Sequence, residues 1–166
     1  MLTGSTAEFK EIMEVNLMGT LYGAKAAGKY FKHQKETGTT WDGRKLENFH
    51  SGSFIVTSSM ASKIILGPQA TSPYCVSKAA VSHLVKGLAV EFVKFARVNA
   101  VCPGYCTTEL LDGVPSELRD RWAQVTPMGR EGSVHEMKGV FTYLASDAST
   151  YTTGSDILVD GGYTCV

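Results

Sequence analysis

The chain has 166 residues, of which 43% are hydrophobic and 19% charged, the balance of an ordinary globular domain rather than a disordered or fibrous protein. Sixteen basic and sixteen acidic residues cancel, so neither nucleic acid nor an anionic membrane is expected as the main partner. No apolar run reaches the ~18 residues of a membrane span, and the N-terminal residues lack the basic and apolar regions of a signal peptide.

The four cysteines are too few and too unevenly spaced for a disulfide scaffold. Cys102 and Cys106 flank a Pro-Gly turn without a second pair of Cys or His nearby, so no metal site is expected. The simplest interpretation is a cytoplasmic protein with reduced thiols.

Hydrophobic periodicity predicts an alternation of helices and strands along the chain. In order, these are a helix Thr6–His33, a strand Ser53–Thr57, a helix Pro73–Phe95, a strand Arg97–Val101, two helices Ser116–Val125 and Ser133–Leu144, and a strand Ile157–Val159. This order predicts an α/β fold with a doubly wound parallel sheet, as a single domain over residues 1–166.

Two segments stand out from this pattern. The stretch KETGTTWDGRKLENFHSG is charged and rich in Gly and Thr, and is expected to form a long surface loop, a kind of loop that is often functional or mobile. The helix Pro73–Phe95 is apolar nearly all round, which predicts burial on several sides, either by the core of its own chain or by a partner subunit.

Tyr74 and Lys78 are four residues apart at the start of this helix, so their side chains share one face. Pro73 suits the first helical position, with Ser72 as N-cap. Tyr74 then lies in the first turn, where the helix dipole and the lysine ammonium both stabilise a phenolate. The arrangement fits general acid–base chemistry on an alcohol or carbonyl. Alone, the spacing is also common for a packed tyrosine near a solvated lysine.

The context of this pair makes the functional interpretation stronger. A strand ending in Thr57-Ser58-Ser59 precedes Tyr74 by about fifteen residues, and open α/β sheets bind ligands at the carboxyl ends of their strands. A serine hydroxyl there could hold a substrate oxygen while Tyr74 moves the proton.

These motifs together resemble the short-chain dehydrogenase/reductase family, whose pattern is a hydroxylated strand end, then YxxxK, then a strand closed by Pro-Gly. The resemblance runs from the N-terminal helix to DGGY and implies a Rossmann-like fold. It implies catalytic roles for Tyr74, Lys78 and Ser59, with Ser58 as the alternative serine. NLMGT resembles the family's active-site asparagine motif, which gives Asn16.

The segment RVNAVCPGYCTTEL resembles the family's cofactor segment. By that match Pro103, Gly104, Cys106 and Thr108 border the nicotinamide, with Thr108 bonding its carboxamide or the pyrophosphate. Tyr74 and Lys78 would also contact the cofactor, Lys78 through the nicotinamide ribose. The implied cofactor is NADP, with NAD as the alternative.

A narrower resemblance is to fungal NADP-dependent polyol and ketose reductases of the sorbose-reductase and mannitol-dehydrogenase kind, carried by segments such as PQATSPYCVSKAAV and LASDASTYTTGSDILVDGGY. It implies interconversion of a small-molecule carbonyl and a secondary alcohol, for example mannitol and fructose or sorbose. Family members commonly assemble as homodimers or homotetramers through the two long helices.

The family's glycine-rich phosphate-binding turn, TGxxxGxG, does not occur in these 166 residues. By the position of Asn16, the N-terminal nucleotide-binding half of a full-length relative is expected to be missing. Two interpretations follow from this: a partial sequence of a working reductase, or an inactive short chain that acts at most as an assembly partner or decoy.

Overall fold

The computed structural model describes residues 4–67 and 71–166, except for the side chain of Leu110. Parallel strands form its centre, and helices lie on both faces of the sheet. The described strands are β1 Gly52–Thr57, β2 Ala96–Pro103, β3 Cys106–Thr107, β4 Gly132–Ser133 and β5 Asp156–Val159. The described α-helices are α1 Thr6–Met13, α2 Gly19–Thr37, α3 Ser72–Glu91, α4 Ser116–Val125 and α5 Val134–Ala145.

The main sheet contains β1, β2 and β5, in the order β1-β2-β5, and all its pairings are parallel. The two-residue strands β3 and β4 form a separate parallel pair. The periodicity of the sequence did not predict β3 and β4, because two residues are too few to show an alternation.

The first helical run is longer than predicted and is not uniform. It begins with a capping box, in which Ser5 caps α1 and Glu8 bonds back to the cap. It passes through a π-helical segment, Glu14–Met18, and ends where Gly38 takes a left-handed conformation (φ 68°). The predicted end at His33 was therefore four residues short.

Strand β2 shows how the two helical layers are attached to the sheet. Side chains alternate along a strand, so Val98, Ala100 and Cys102 form one face of β2 and pack in a core with residues of α2 and α3. On the opposite face, Arg97 Nη2 donates to the Leu144 carbonyl at the end of α5 (3.1 Å). Helices therefore cover both faces of the parallel sheet, which confirms the predicted α/β doubly wound architecture.

Helix α3 begins one residue earlier than predicted. Its N-cap is Thr71, whose hydroxyl donates to the Leu66 carbonyl (2.9 Å) and makes no capping bond. The assignment of Ser72 as N-cap and Pro73 as first residue was wrong. Proline is equally tolerated one position further in, because that backbone N–H also lacks an intrahelical partner. The helix ends at Glu91 rather than Phe95, and Tyr74 remains in its first turn.

The predicted surface loop between α2 and β1 is partly ordered by local contacts. Thr39 and Lys45 form an antiparallel bridge. Trp41 packs on Tyr30 and His33, with ring centroids 5.3 and 4.8 Å apart. Among the residues described, no helix is long and apolar enough to cross a membrane.

Candidate functional site

A cavity of about 470 Å³ lies at the carboxyl ends of β1 and β2, between α3 and α5. This is the edge of the sheet at which open α/β folds bind ligands. Its lining combines the residues that the sequence predicts with others that it does not: Thr57, Ser58, Ser59, Tyr74, Lys78, Pro103, Gly104, Tyr105, Cys106, Thr108, Leu111, Val134, Met137 and Phe141.

Tyr74 and Lys78 lie together on the α3 side of this cavity. The Lys78 Nζ atom is 5.7 Å from the centroid of the Tyr74 ring, and it donates a hydrogen bond to the Thr57 carbonyl (3.2 Å). Burial lowers the pKa of Lys78. The ammonium is thus held between the end of β1 and Tyr74 in a partly dry site, where its electrostatic effect is stronger than in water.

The two serines at the end of β1 have different surroundings. Ser58 Oγ is hydrogen-bonded to Ser82 Oγ (2.9 Å) and to the Lys78 carbonyl (3.2 Å), so it joins β1 to α3. Among the described residues, Ser59 Oγ accepts a single, local bond, from the Ala61 N–H (3.1 Å), as the cap of a short 3₁₀ helix, Met60–Ser62. Ser59 is therefore the serine with hydrogen-bonding capacity left for a ligand.

Asn16 lies outside this cavity, in the π-helical segment. It lines a neighbouring groove of about 350 Å³ beside β1, and Lys78 lines both the groove and the cavity. Asn16 Nδ2 donates to Ser77 Oγ (3.0 Å), which in turn donates to the Tyr74 carbonyl (2.7 Å). The structure therefore brings Asn16 next to the Tyr74–Lys78 turn through Ser77. Single-turn π-helical segments are frequent at functional sites.

The turn after β2 forms the floor of the cavity. Gly104 donates its N–H to the Val159 carbonyl (3.0 Å), and a Cβ atom at this position would lie 2.8 Å from the Asp160 Cα. Glycine is required here by this close backbone approach. The turn brings Pro103, Cys106 and Thr108 to the same cavity as Tyr74.

Cys106 lines the cavity with a thiol that stays protonated and neutral. Burial raises the pKa of its thiol, and the nearby Glu136 and Glu131 raise it further. Within residues 4–67 and 71–166, no group of three His, Cys, Asp or Glu side chains is arranged to hold a metal ion.

Several lining residues were not predicted from the sequence. Val134, Met137 and Phe141 line the α5 side of the cavity, and their spacing of three and four residues is the signal of one helix face. Tyr105 follows the Pro-Gly turn directly and lies inside the segment RVNAVCPGYCTTEL, and that position was the available signal.

An ion pair and a hydrogen bond, both made to Glu131, hold α4 in place. Arg119 makes two bonds to Glu131, from Nε (2.9 Å) and Nη2 (2.6 Å), and Thr107 Oγ1 donates to the same carboxylate (2.9 Å). The bond from Arg119, aided by that from Thr107, lowers the pKa of Glu131. Because Arg119 belongs to α4 and Thr107 to β3, this carboxylate joins the two elements next to β4.

Comparison with known proteins shows which family the chain resembles. A family model described as Enoyl-(Acyl carrier protein) reductase matches residues 1–164. L-xylulose reductase of Hypocrea jecorina is 52% identical over 162 residues, which cover 98% of this chain and 56% of that protein. Sorbose reductase SOU1 of Candida albicans is 46% identical over 159 residues, covering 95% of this chain and 51% of that protein. The NADP-dependent mannitol dehydrogenase of Alternaria alternata is 41% identical over 165 residues, covering 99% and 56%.

Solved structures show the same relationship. A short-chain type dehydrogenase/reductase from Mycobacterium marinum superposes with a TM-score of 0.88 at 41% identity, covering all of this chain and 60% of that one. The NADPH-dependent 3-quinuclidinone reductase from Rhodotorula rubra gives a TM-score of 0.84 at 37% identity, covering 98% and 55%. The chain spans about half the length of these curated relatives, and it belongs to the short-chain dehydrogenase/reductase family.

Proposed function

We propose that this protein is an NADP(H)-dependent oxidoreductase that interconverts a carbonyl group and a secondary alcohol. The observation that carries this proposal is the placement of Tyr74 and Lys78 in one turn of α3, at the cavity that Ser59 and the Pro103-Gly104 turn also line. The proposed substrate is a small polyol or ketose, because relatives at 41–52% identity are named for xylulose, sorbose and mannitol.

The residues present fit a nicotinamide cofactor. The Lys78 ammonium has three donors, and its one hydrogen bond among the described residues goes to the Thr57 carbonyl, which leaves donors for a ribose hydroxyl. Gly104 supplies a surface without a side chain, and Cys106 supplies a neutral thiol. Lys78, Pro103, Gly104, Cys106 and Thr108 would hold the nicotinamide end, with Tyr74 beside it. When bound, that group supplies or accepts the hydride.

The proton chemistry belongs to the chain's own side chains. The Tyr74 phenol donates its proton to the substrate oxygen during reduction and takes it back during oxidation. Lys78 stabilises the phenolate that forms, because its positive charge lies close to the ring in a partly buried site. Ser59 holds the substrate oxygen. Asn16 anchors a water that returns a proton to Lys78, a role that its position in the groove shared with Lys78 supports.

The assembly that supports this activity is proposed to be a homodimer or homotetramer. On the outer side of α3, an exposed stripe runs along the helix: Val76, Ala79, His83, Lys86, Gly87 and Val90. Val90 is 76% exposed and Val76 45% exposed. Ala79 and Gly87, which lie between these valines, are small enough for another helix to approach closely. Cytoplasmic location is also proposed, and four free cysteines agree with it.

The test is a substrate and cofactor panel on the protein expressed from its complete reading frame. Reduction of L-xylulose, L-sorbose and D-fructose is followed with NADPH and with NADH, and oxidation of mannitol with NADP. We expect turnover of at least one ketose, with NADPH preferred. Absence of turnover with every substrate and both cofactors would contradict the proposed function. Preference for NADH would contradict only the cofactor assignment.

A further inference from the structure

Ser77 lies in the turn of α3 that carries Tyr74 and Lys78, but it is fully buried (0% exposed) and does not line the cavity. Its hydroxyl donates to the Tyr74 carbonyl (2.7 Å) and accepts from Asn16 Nδ2 (3.0 Å). One oxygen atom therefore joins the residue proposed to move the proton to the residue proposed to anchor the relay water.

The two hydrogen bonds of Ser77 differ in kind. A serine hydroxyl in a helix commonly bonds a carbonyl three or four residues earlier, so the bond to Tyr74 is a local one. The bond from Asn16 is not local, because it comes from a different helical element, 61 positions away in the sequence. It ties the π-helical segment Glu14–Met18 to α3 at the turn that carries Lys78.

The direction of these bonds determines how the Asn16 side chain is turned. The Tyr74 carbonyl can only accept, so the single proton of the Ser77 hydroxyl is used there. Asn16 must then present its NH2 group to Ser77, which turns its Oδ1 atom away from this contact. At the backbone, Thr20 Oγ1 donates to the Asn16 carbonyl (2.7 Å). Asn16 is thus held by α2 at its main chain and by α3 at its side chain.

This arrangement matters for the groove beside β1, which Asn16 and Lys78 both line. Ser77 directly precedes Lys78 in the chain, so its bond to Asn16 sets where the asparagine lies relative to the lysine. Without that bond, the Asn16 side chain would be free to change rotamer. Catalytic groups must be held to within about 0.5 Å of the productive geometry, and neighbouring hydrogen bonds supply that restraint.

We propose that Ser77 is a positioning residue of the reaction, which holds Asn16 beside Lys78 and acts only through Asn16. The inference rests on the proposed function and on the role proposed there for Asn16. Because Ser77 is buried behind the catalytic turn, it contacts neither substrate nor cofactor. Loss of its hydroxyl should therefore slow the reaction without weakening the binding of either one.

The test is a double-mutant cycle of Ser77→Ala and Asn16→Ala in the protein expressed from its complete reading frame. kcat and KM are measured with NADPH and with the best ketose of the substrate panel. We expect Ser77→Ala to lower kcat about tenfold, the equivalent of one neutral hydrogen bond, with both KM values unchanged. In the Asn16→Ala background, where the bond is already lost, Ser77→Ala should lower kcat by less than about twofold.

Ser149→Ala is the matched control. Ser149 is also buried, and its hydroxyl also bonds main-chain carbonyls, those of Leu144 (3.1 Å) and Ser146 (3.0 Å), beyond the end of α5. Both Ser77→Ala and Ser149→Ala should lower the urea midpoint of unfolding, but only Ser77→Ala should lower kcat. An equal loss of kcat in both variants would indicate a general effect of lower stability and contradict the inference.

The outcomes separate this inference from the proposed function. If Ser77→Ala keeps the original kcat, raises KM instead, or lowers kcat as strongly without Asn16 as with it, the inference is wrong, while the proposed function stands. Coupling of the two substitutions in urea unfolding without coupling in kcat would make the bond purely structural, which also contradicts the inference. If the unmodified protein reduces no ketose at all, the proposed function fails and the inference fails with it.

Discussion

At the scale of single residues, the two serines after β1 differ clearly in their hydrogen bonds. The sequence pattern favoured Ser59 over Ser58 only by resemblance, since both stand at the strand end. Both serines line the cavity, and the structure separates them by their partners. Ser58 bonds Ser82 and the Lys78 carbonyl, while Ser59 makes one local bond among the described residues. Such a distinction depends on which way each side chain points, and residue spacing alone does not contain it.

This difference predicts distinct consequences for two substitutions. Ser59→Ala should lower kcat, on the order of tenfold to a hundredfold, by removing a hydrogen bond to the reacting oxygen. It should also reduce the free energy of unfolding by about 1 kcal/mol, because the Ala61 N–H loses its cap. Ser58→Ala should reduce the free energy of unfolding by about 1–2 kcal/mol, because it leaves the buried Ser82 hydroxyl without its partner. Steady-state kinetics and urea unfolding of both variants check this. The reverse pattern, with kcat lost in Ser58→Ala, would make Ser58 the residue that holds the substrate.

Residue spacing predicts some contacts of the site and not others. Tyr74 and Lys78 could be paired from their spacing, because four residues make one helical turn. The bond from Asn16 to Ser77 joins residues 61 positions apart, and it depends on the π-helical segment. No periodicity predicts such a contact. The stack of Tyr105 on Trp122 also joins two separate elements, and only three-dimensional packing reveals it.

At the scale of elements, α3 was expected to be buried on several sides because its apolar residues are spread widely around the helix. Within the described chain it buries one broad face, and its outer stripe from Val76 to Val90 stays exposed. Cover of this stripe by a partner subunit is part of the proposed assembly. Phe92 is different: its ring lies against Gly28 of α2, 2.7 Å from where a Cβ would be, and it packs on the core.

We expect Val90→Glu to weaken assembly without preventing folding. A charge on the exposed stripe costs little in the isolated subunit, but it would be desolvated at a helix–helix interface. Sedimentation should then show a shift toward monomer, and Tm should become more dependent on protein concentration. Phe92→Glu, placed in the core, should destabilise the protein at every concentration. If Val90→Glu stays as oligomeric as the unmodified protein, the outer stripe of α3 is not the interface.

The contact that holds α4 beside the cavity should be sensitive to acid. The folded-state pKa of Glu131 is lowered, so its contribution to stability is present above the unfolded value near pH ~4.3 and is lost as pH falls through the folded pKa. Glu131→Gln should therefore have a lower Tm than the unmodified protein at neutral pH. The gap should close as the pH is lowered below about 4. Glu91→Gln, which neutralises an exposed carboxylate at the end of α3, serves as control. A gap that is the same at both pH values would show that the ion pair does not stabilise the fold.

At the scale of the whole molecule, the fold was predictable because helices and strands alternate regularly and the strands are short and apolar. The bounds of α4 are those predicted from the sequence. Strands β1 and β5 begin one residue earlier than predicted, and α5 begins and ends one residue later. What could not be predicted is which elements meet. The cavity is lined by the end of β1, the start of α3, the turn after β2 and one face of α5. These elements meet because of the order of the strands in the sheet, which the local sequence does not determine.

Tyr74 is the group proposed to move the proton, and one substitution tests this role most directly. Tyr74→Phe is made in the protein expressed from its complete reading frame, and kcat is measured on the best ketose with saturating NADPH, together with the Kd for NADPH. We predict a loss of about 10²–10⁴-fold in kcat, the range for a general acid–base group, with the Kd for NADPH unchanged. If the variant keeps more than about a tenth of the original kcat, the proton comes from another group and the proposed site is wrong.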